Sequence, residues 1–270
     1  MNTATLDLES EYALSADQIE RFRRDGYIKL KNVLSPEVLA HYEAVITKTV
    51  DALNQETRDM EKRDTYSKAF LQIMNLWRSN AAVEAFIKSK RLGRIATQLM
   101  GTNGVRLYHD QALYKEPSGG YTPWHVDQYY WPLSNNNTIT AWIPLQAVPM
   151  KKGPLEFSIG SQRITFGRDL EISDASEKQI DEHLKLSDLP VDSSPFDLGE
   201  VSFHYGYTFH RAGPNTTDQT RKIMTIIYMD KEMRLSKPKN QNQQNDWDAW
   251  MPGAKIGEII DTELNPVIFE

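Results

Sequence analysis

Past Gly104 the chain changes texture, and this change limits its fold more than any other feature. Beyond that point short β-rich runs, Val105 to Tyr114, Ile139 to Leu145, Leu155 to Ile159, Val201 to His204 and Lys222 to Met229, alternate with Gly and Pro. Short strands punctuated by turn formers predict a barrel or sandwich. Before Gly104 the signals are helical. Ser15-Ala16-Asp17-Gln18 has capping-box spacing, which predicts a helix that stops near Gly26, and Tyr27 to Leu30 alternates as a short strand. Ser35 followed by Pro36 marks a second start, with Val38, Leu39, Tyr42, Val45, Ile46, Val50 and Leu53 forming one apolar stripe. A third helical stretch is predicted from Asn80 to Met100, ending at Gly101.

A chain of 270 residues is long for one domain, yet all-β barrels of this size are often single units. The expectation is one domain, with residues 1–104 as a helical part packed on the barrel and 105–235 as the barrel core. Within that core the acid-rich segment 164–197, with a short helix near Ala175 to Leu186, is expected to be a lid or outer cover. Residues 236–270 form a C-terminal extension, in which Lys237 to Asn245, KPKNQNQQN, reads as a mobile loop.

Composition removes several function classes. A net charge of −6 offers no basic field for phosphate backbones, so nucleic acid is not an expected partner. With no cysteine, thiolate metal sites and thiol catalysis are excluded, and any metal must sit on His, Asp or Glu. The acidic N-terminus lacks signal-peptide order and no apolar run approaches about twenty residues, so the expectation is a soluble cytoplasmic protein with no membrane partner. Oligomeric state is left open.

Chemistry concentrates in Thr122-Pro123-Trp124-His125-Val126-Asp127-Gln128-Tyr129-Tyr130-Trp131. In extended backbone residues i and i+2 face the same side, so His125 and Asp127 can present an imidazole nitrogen and a carboxylate oxygen to one point. A His-x-Asp pair is common by chance and needs a third ligand from elsewhere. The candidates are His41, His109, His183, His204 and His210; His41 falls on the outer part of a helix and His183 in the acidic insertion, whereas His204 and His210 both lie in the aromatic run 203–210. His210 is favoured because it precedes a Gly-Pro-Asn turn, where a barrel's mouth would be; His204 reads as a structural neighbour. Two imidazoles and a carboxylate on one face of a metal leave three positions open, the ligand set of non-haem Fe(II) oxygenases. Two of those positions suit a bidentate 2-oxo acid and one suits O₂. Zinc would accept the same ligands but has no redox chemistry. A second carboxylate on the 2-oxo acid calls for a buried arginine, and Arg221, heading the apolar run Ile223 to Met229, is the candidate.

With these residues in place, the chain resembles the phytanoyl-CoA dioxygenase-type members of the Fe(II)/2-oxoglutarate-dependent oxygenases. The resemblance runs nearly end to end: Asp25-Gly26-Tyr27-Ile28, Trp124-His125-Val126-Asp127 with Trp131 behind it, Gly153-Pro154-Leu155 before Gly160-Ser161-Gln162, and His210-Arg211-Ala212-Gly213-Pro214-Asn215 followed by Arg221. It implies a mainly β fold with flanking helices, a double-stranded β-helix of the jelly-roll or cupin-like kind. It also implies iron on His125, Asp127 and His210, and 2-oxoglutarate on Arg221. By similarity to ectoine hydroxylases, Gln111 and Thr140 are further 2-oxoglutarate contacts. Tyr108, Lys115, Tyr129, Tyr130 and Trp131 are candidate contacts to a small-molecule substrate, with Tyr129 or Tyr130, not both, turned inward. Related halogenases carry a small residue where this chain has Asp127, which disfavours halogenation. Lys151 and Lys152 before Gly153 depart from the family pattern with no evident consequence.

The implied reaction is oxidation of a small metabolite or natural product with release of succinate and CO₂. Hydroxylation is the default outcome, and desaturation, epoxidation or ring closure are variants. Two rivals are a redox-inert isomerase or hydrolase on the same ligands and a catalytically silent binding module. Arg221 argues against the first, and retention of all four residues argues against the second.

Overall fold

The computed structural model describes residues 6–63 and 65–270. The capping box forms as the sequence predicts: the Ser15 hydroxyl accepts from the Gln18 amide and the Gln18 side chain reaches back, starting α1 (Ala16–Asp25). Gly26, at φ +84°, ends it and turns the chain into β1 (Tyr27–Leu30). Ser35 and Pro36 open α2 (Pro36–Leu53), followed by α3 (Thr65–Ala69) and β2 (Leu71–Met74). The single helix expected over Asn80 to Met100 is two, α4 (Ala81–Ile87) and α5 (Lys90–Met100). Ser89 breaks it by capping the Leu92 amide while donating to Leu8 O at 2.8 Å.

The strands that follow are β3 (Val105–Lys115), β4 (Thr122–His125), β5 (Thr138–Pro144) and β6 (Leu155–Ser158). The helix α6 (Asp174–Leu186) then precedes β7 (Val191–Asp192), β8 (Val201–Tyr205), β9 (His210–Ala212) and β10 (Arg221–Asp230). The chain closes with α7 (Gln241–Trp250) and β11 (Val267–Phe269). Among the described residues two antiparallel sheets form. One has the order β1-β8-β5-β10-β3-β11, with β2 also on β3, and the other is β4-β9-β6-β7.

Strand alternation divides the side chains between two cores. On β10, Met224, Ile226 and Tyr228 face outward into an apolar layer shared with Phe22, Ile46, Phe86 and Leu92 of the N-terminal helices. The alternate residues Ile223 and Ile227 face inward, Ile223 packing with Trp142, Leu155 and Phe157. Arg221, two positions before Ile223, takes the inward side by the same period. Within segment 164–197, Ile180 and Leu184 of α6 are buried against Trp124, Val126 and Phe209, while β7 pairs with β6. Arg211 ties α6 to β6, reaching Glu156 at 2.9 Å and Glu177 at 3.5 Å.

Two local features depart from the expected pattern. The tract expected as a mobile loop contains α7, whose start is capped by Asn240 on the Gln243 amide. Its intrinsic helix signal is weak, and tertiary contacts supply the rest: Gln243 donates to Tyr129 O at 2.9 Å and Asp246 accepts from Tyr108. On β3 a register shift opposite Ile227 and Tyr228 leaves Tyr108 without a partner between Leu107 and His109. Such a bulge turns two consecutive side chains to one face, so Tyr108 and His109 both point inward while Leu107 joins the outer layer.

Candidate metal centre

Cross-strand pairing brings the distant histidines together. His125 ends β4 and faces His210, which begins β9, with ring centroids 4.1 Å apart. Val126 is extended (φ −121°, ψ 132°), so Asp127 returns to the side of His125 before the chain enters a single 3₁₀ turn over Asp127–Tyr130. Asp127 Oδ1 lies 3.6 Å from His125 Nε2 and 3.5 Å from His210 Nε2, and the ligand atoms all fall within 4.8 Å of one another.

The backbone fixes which imidazole nitrogen is available. His125 Nδ1 is 2.7 Å from Pro123 O and His210 Nδ1 is 2.9 Å from Thr208 O. A carbonyl only accepts, so each Nδ1 carries the proton and each neutral ring turns a bare Nε2 lone pair toward Asp127. Burial, and then the neighbouring His210, lower the basicity of His125 and favour that neutral form. Two neutral nitrogen donors and one carboxylate, presented to a single point, fit a divalent metal ion. His204, expected to be a structural neighbour, places Nε2 3.3 Å from Asp127 Oδ2, and Thr140 donates to the same oxygen at 2.9 Å.

These residues line a cavity of about 240 Å³ between the two sheets. Arg221 stands at its wall, 2% exposed. Its Nη1 donates to Gly153 O, its guanidinium lies 5.5 Å from the Trp142 ring, and its Nε has no partner. No carboxylate pairs with it among the described residues, and burial pulls its pKa down to about 9. An unpaired buried guanidinium is costly, and a carboxylate entering the cavity would offset that cost. Gly153 makes the contact feasible: at φ +66° any Cβ would lie 2.1 Å from Gly213 O, so only glycine lets the two turns touch.

The cavity receives Gln111, Thr140, Tyr130 and Trp131 from the expected set. Three others lie outside its lining. Tyr129 packs in the outer cluster with Trp124, because the 3₁₀ turn sends consecutive residues apart and leaves Tyr130 as the inward one. Lys115 is buried behind the wall, its Nζ donating to Gly213 O at 3.0 Å and Gly120 O at 2.5 Å. Burial and, second, the charge of Arg221, its register partner, pull its pKa down to about 6. Tyr108 lies against Trp131 and donates to Asp246, which does line the cavity. The sequence offered His109 only as a candidate third metal ligand, and it did not single out Asp246. His109 stands two residues before Gln111 on one strand, and that period was the available signal; Asp246 had none, since its helix was read as a loop.

Known proteins share this arrangement of elements. The probable alpha-ketoglutarate-dependent hypophosphite dioxygenase of Stutzerimonas stutzeri is 25% identical over 225 residues, covering 79% of this chain and 78% of its own. The ectoine dioxygenase of Bordetella bronchiseptica is 23% identical over 248 residues, covering 84% and 79%. Among solved structures, the non-heme alpha ketoglutarate dependent carbocyclase SnoK from nogalamycin biosynthesis superposes with a TM-score of 0.77 at 23% identity, covering 94% of this chain and 96% of its own. The sequence profile of the phytanoyl-CoA dioxygenase (PhyH) family matches residues 22–223, three quarters of the chain from the last turn of α1 to just past Arg221, and the protein belongs to that family.

Proposed function

We propose that the protein is an Fe(II)- and 2-oxoglutarate-dependent oxygenase that hydroxylates a small molecule, built as one domain on a double-stranded β-helix. The observation that carries this reading is Arg221: a fully buried, unpaired cation in the same cavity as the metal triad. A redox-inert enzyme on these ligands has no use for it. In this reading His125 Nε2, Asp127 Oδ1 and His210 Nε2 hold the iron, and Arg221 takes the far carboxylate of 2-oxoglutarate in bidentate fashion. When bound, Fe(II) with 2-oxoglutarate and O₂ supplies an oxidant for C–H bonds, coupled to formation of succinate and CO₂.

The chain's own residues bind, orient and exclude. Thr140 and His204 hold Asp127 Oδ2, so Oδ1 is the oxygen turned to His125 and His210; Thr140 serves the carboxylate while it also lines the cavity. Gln111 forms a polar wall between the triad and Arg221. Trp142 and Leu155 keep water from the Arg221 end, which strengthens any carboxylate–guanidinium pair there. The relatives' names, one for hypophosphite and one for ectoine, support a small-molecule substrate.

The test is anaerobic addition of Fe(II) and 2-oxoglutarate, watched for the weak visible charge-transfer band of the chelate. The band is expected in the wild type and absent from His210→Ala. Its absence from the wild type, or its survival in His210→Ala, would sink the proposal. Succinate formation that depends on Asp127 then separates an enzyme from a silent binding module.

A further inference from the structure

The cavity has oppositely charged ends. Arg221 heads β10, and Ile227, six residues on, pairs with His109. At about 3.3 Å per residue the strand carries these two ends roughly 20 Å apart. Among the described residues that line the cavity, Arg221 is the only lysine or arginine. The other end is acidic. Asp246 lines it from α7, outside the residues matched by the family profile.

Asp246 is held but not neutralised. Its Oδ2 accepts from Tyr108 at 2.8 Å, and Trp250 is its other hydrogen-bond donor; both are neutral. Burial pushes its pKa up to about 7, as expected for a carboxyl with no cation beside it. His109 does not fill that role. Burial lowers its pKa to about 4, so the ring is neutral, and its Nδ1 is buried without a partner. The β3 bulge is what sets Tyr108 and His109 side by side at this end.

We propose that the space between His109 and Asp246 is the substrate subsite, and that it selects a molecule bearing an ammonium or hydroxyl donor and rejects anions. This rests on the oxygenase reading, in which 2-oxoglutarate occupies the Arg221 end and leaves this end for the molecule to be oxidised. A donor directed at Asp246 completes a carboxyl that no cation of the protein pairs. An anion would meet Asp246 in a low-dielectric wall, at an end of the cavity that no lysine or arginine lines.

The experiment uses the full chain loaded with Mn(II) and saturating 2-oxoglutarate. Mn(II) shortens the proton relaxation times of any small molecule that enters the cavity, so no substrate need be known. Ethanolamine and methylphosphonate are compared at equal concentration and about pH 8, where the probes keep opposite charges and Asp246 is ionised. Ethanolamine is expected to show about tenfold more relaxation enhancement than methylphosphonate in the wild type. In Asp246→Asn the two should fall within about twofold of each other. Equal enhancement in the wild type, or a preference that survives Asp246→Asn, overturns the proposal. Mn(II) binding is read separately from the free-ion resonance signal. Mn(II) that stays free would overturn the metal reading and this one together, whereas bound Mn(II) with equal enhancement overturns this one alone.

Discussion

The Thr140 hydroxyl donates to Asp127 Oδ2 at 2.9 Å, leaving Oδ1 as the carboxylate oxygen that faces both His125 and His210. In the proposed iron site, that bond makes Oδ1 the oxygen offered to the metal. Removing it in Thr140→Val frees the carboxylate to rotate, and metal affinity should fall about tenfold, the usual consequence of losing a partner behind a ligand. Thr140→Ser keeps the hydroxyl and should restore most of the loss. Calorimetric titration with Mn(II) reads both, and unchanged affinity in the valine variant would show that Asp127 is held by other contacts.

Arg221 gives a prediction with two opposite signs. Arg221→Met should weaken 2-oxoglutarate binding by on the order of a hundredfold or more, because the far carboxylate then has no cation in the cavity. The ligand-free protein should lose no thermal stability, since the variant also removes an unpaired buried charge. Saturating 2-oxoglutarate with metal should raise the wild-type melting temperature by about 5 °C and leave the variant nearly unmoved. Calorimetry and thermal melts measure the two effects separately.

Asp246 sets a pH dependence. Its folded pKa of about 7 lies above the ordinary carboxyl value, so the folded state binds this proton more tightly than the unfolded chain. The associated stability is full at low pH and is lost as pH rises through the window from about 4 to about 7. Asn does not titrate. Asp246→Asn should therefore gain on the wild type across that window, by about 1–2 kcal/mol more at pH 8 than at pH 4 after allowing for partial solvent screening. Asp110, also pushed up to about 7, and His109, lowered to about 4, are common to both proteins and cancel in the difference. Denaturant melts at the two pH values measure it; a flat difference would mean that Asp246 titrates normally.

Gly153 couples two turns. Gly153→Ala places a Cβ against the Gly213 backbone at a positive φ, so the turns must part, at a cost of roughly 2–4 kcal/mol. Because Gly153 O accepts from Arg221, parting them should also raise the concentration of 2-oxoglutarate needed for half-saturation. Melting midpoints and 2-oxoglutarate titrations together check the coupling.

Ser15, Gly26 and Pro36 each act within one turn of chain, so their helix boundaries followed from local chemistry. His125 and Asp127 could be paired in advance because the strand period holds across Val126. Tyr130 and Trp131 lie beyond the point where that period ends, and only the 3₁₀ turn decides that Tyr129 faces away.

The amino-acid sequence by itself determined the helical-to-β division at Gly104, the pair His125 and Asp127, and the order in which His210 and Arg221 follow. Those features depend on spacing and residue type, which a linear chain carries in full. Tertiary structure alone decided that Thr140 serves Asp127, that Lys115 lies behind the wall, and that His109 and Asp246 form an acidic far end. Each of those outcomes depends on a partner elsewhere in the chain: Asp127 for Thr140, Gly213 for Lys115, and for the far end a bulge in the β3–β10 register and a helix whose weak intrinsic propensity is overridden by contacts to Tyr108 and Tyr129.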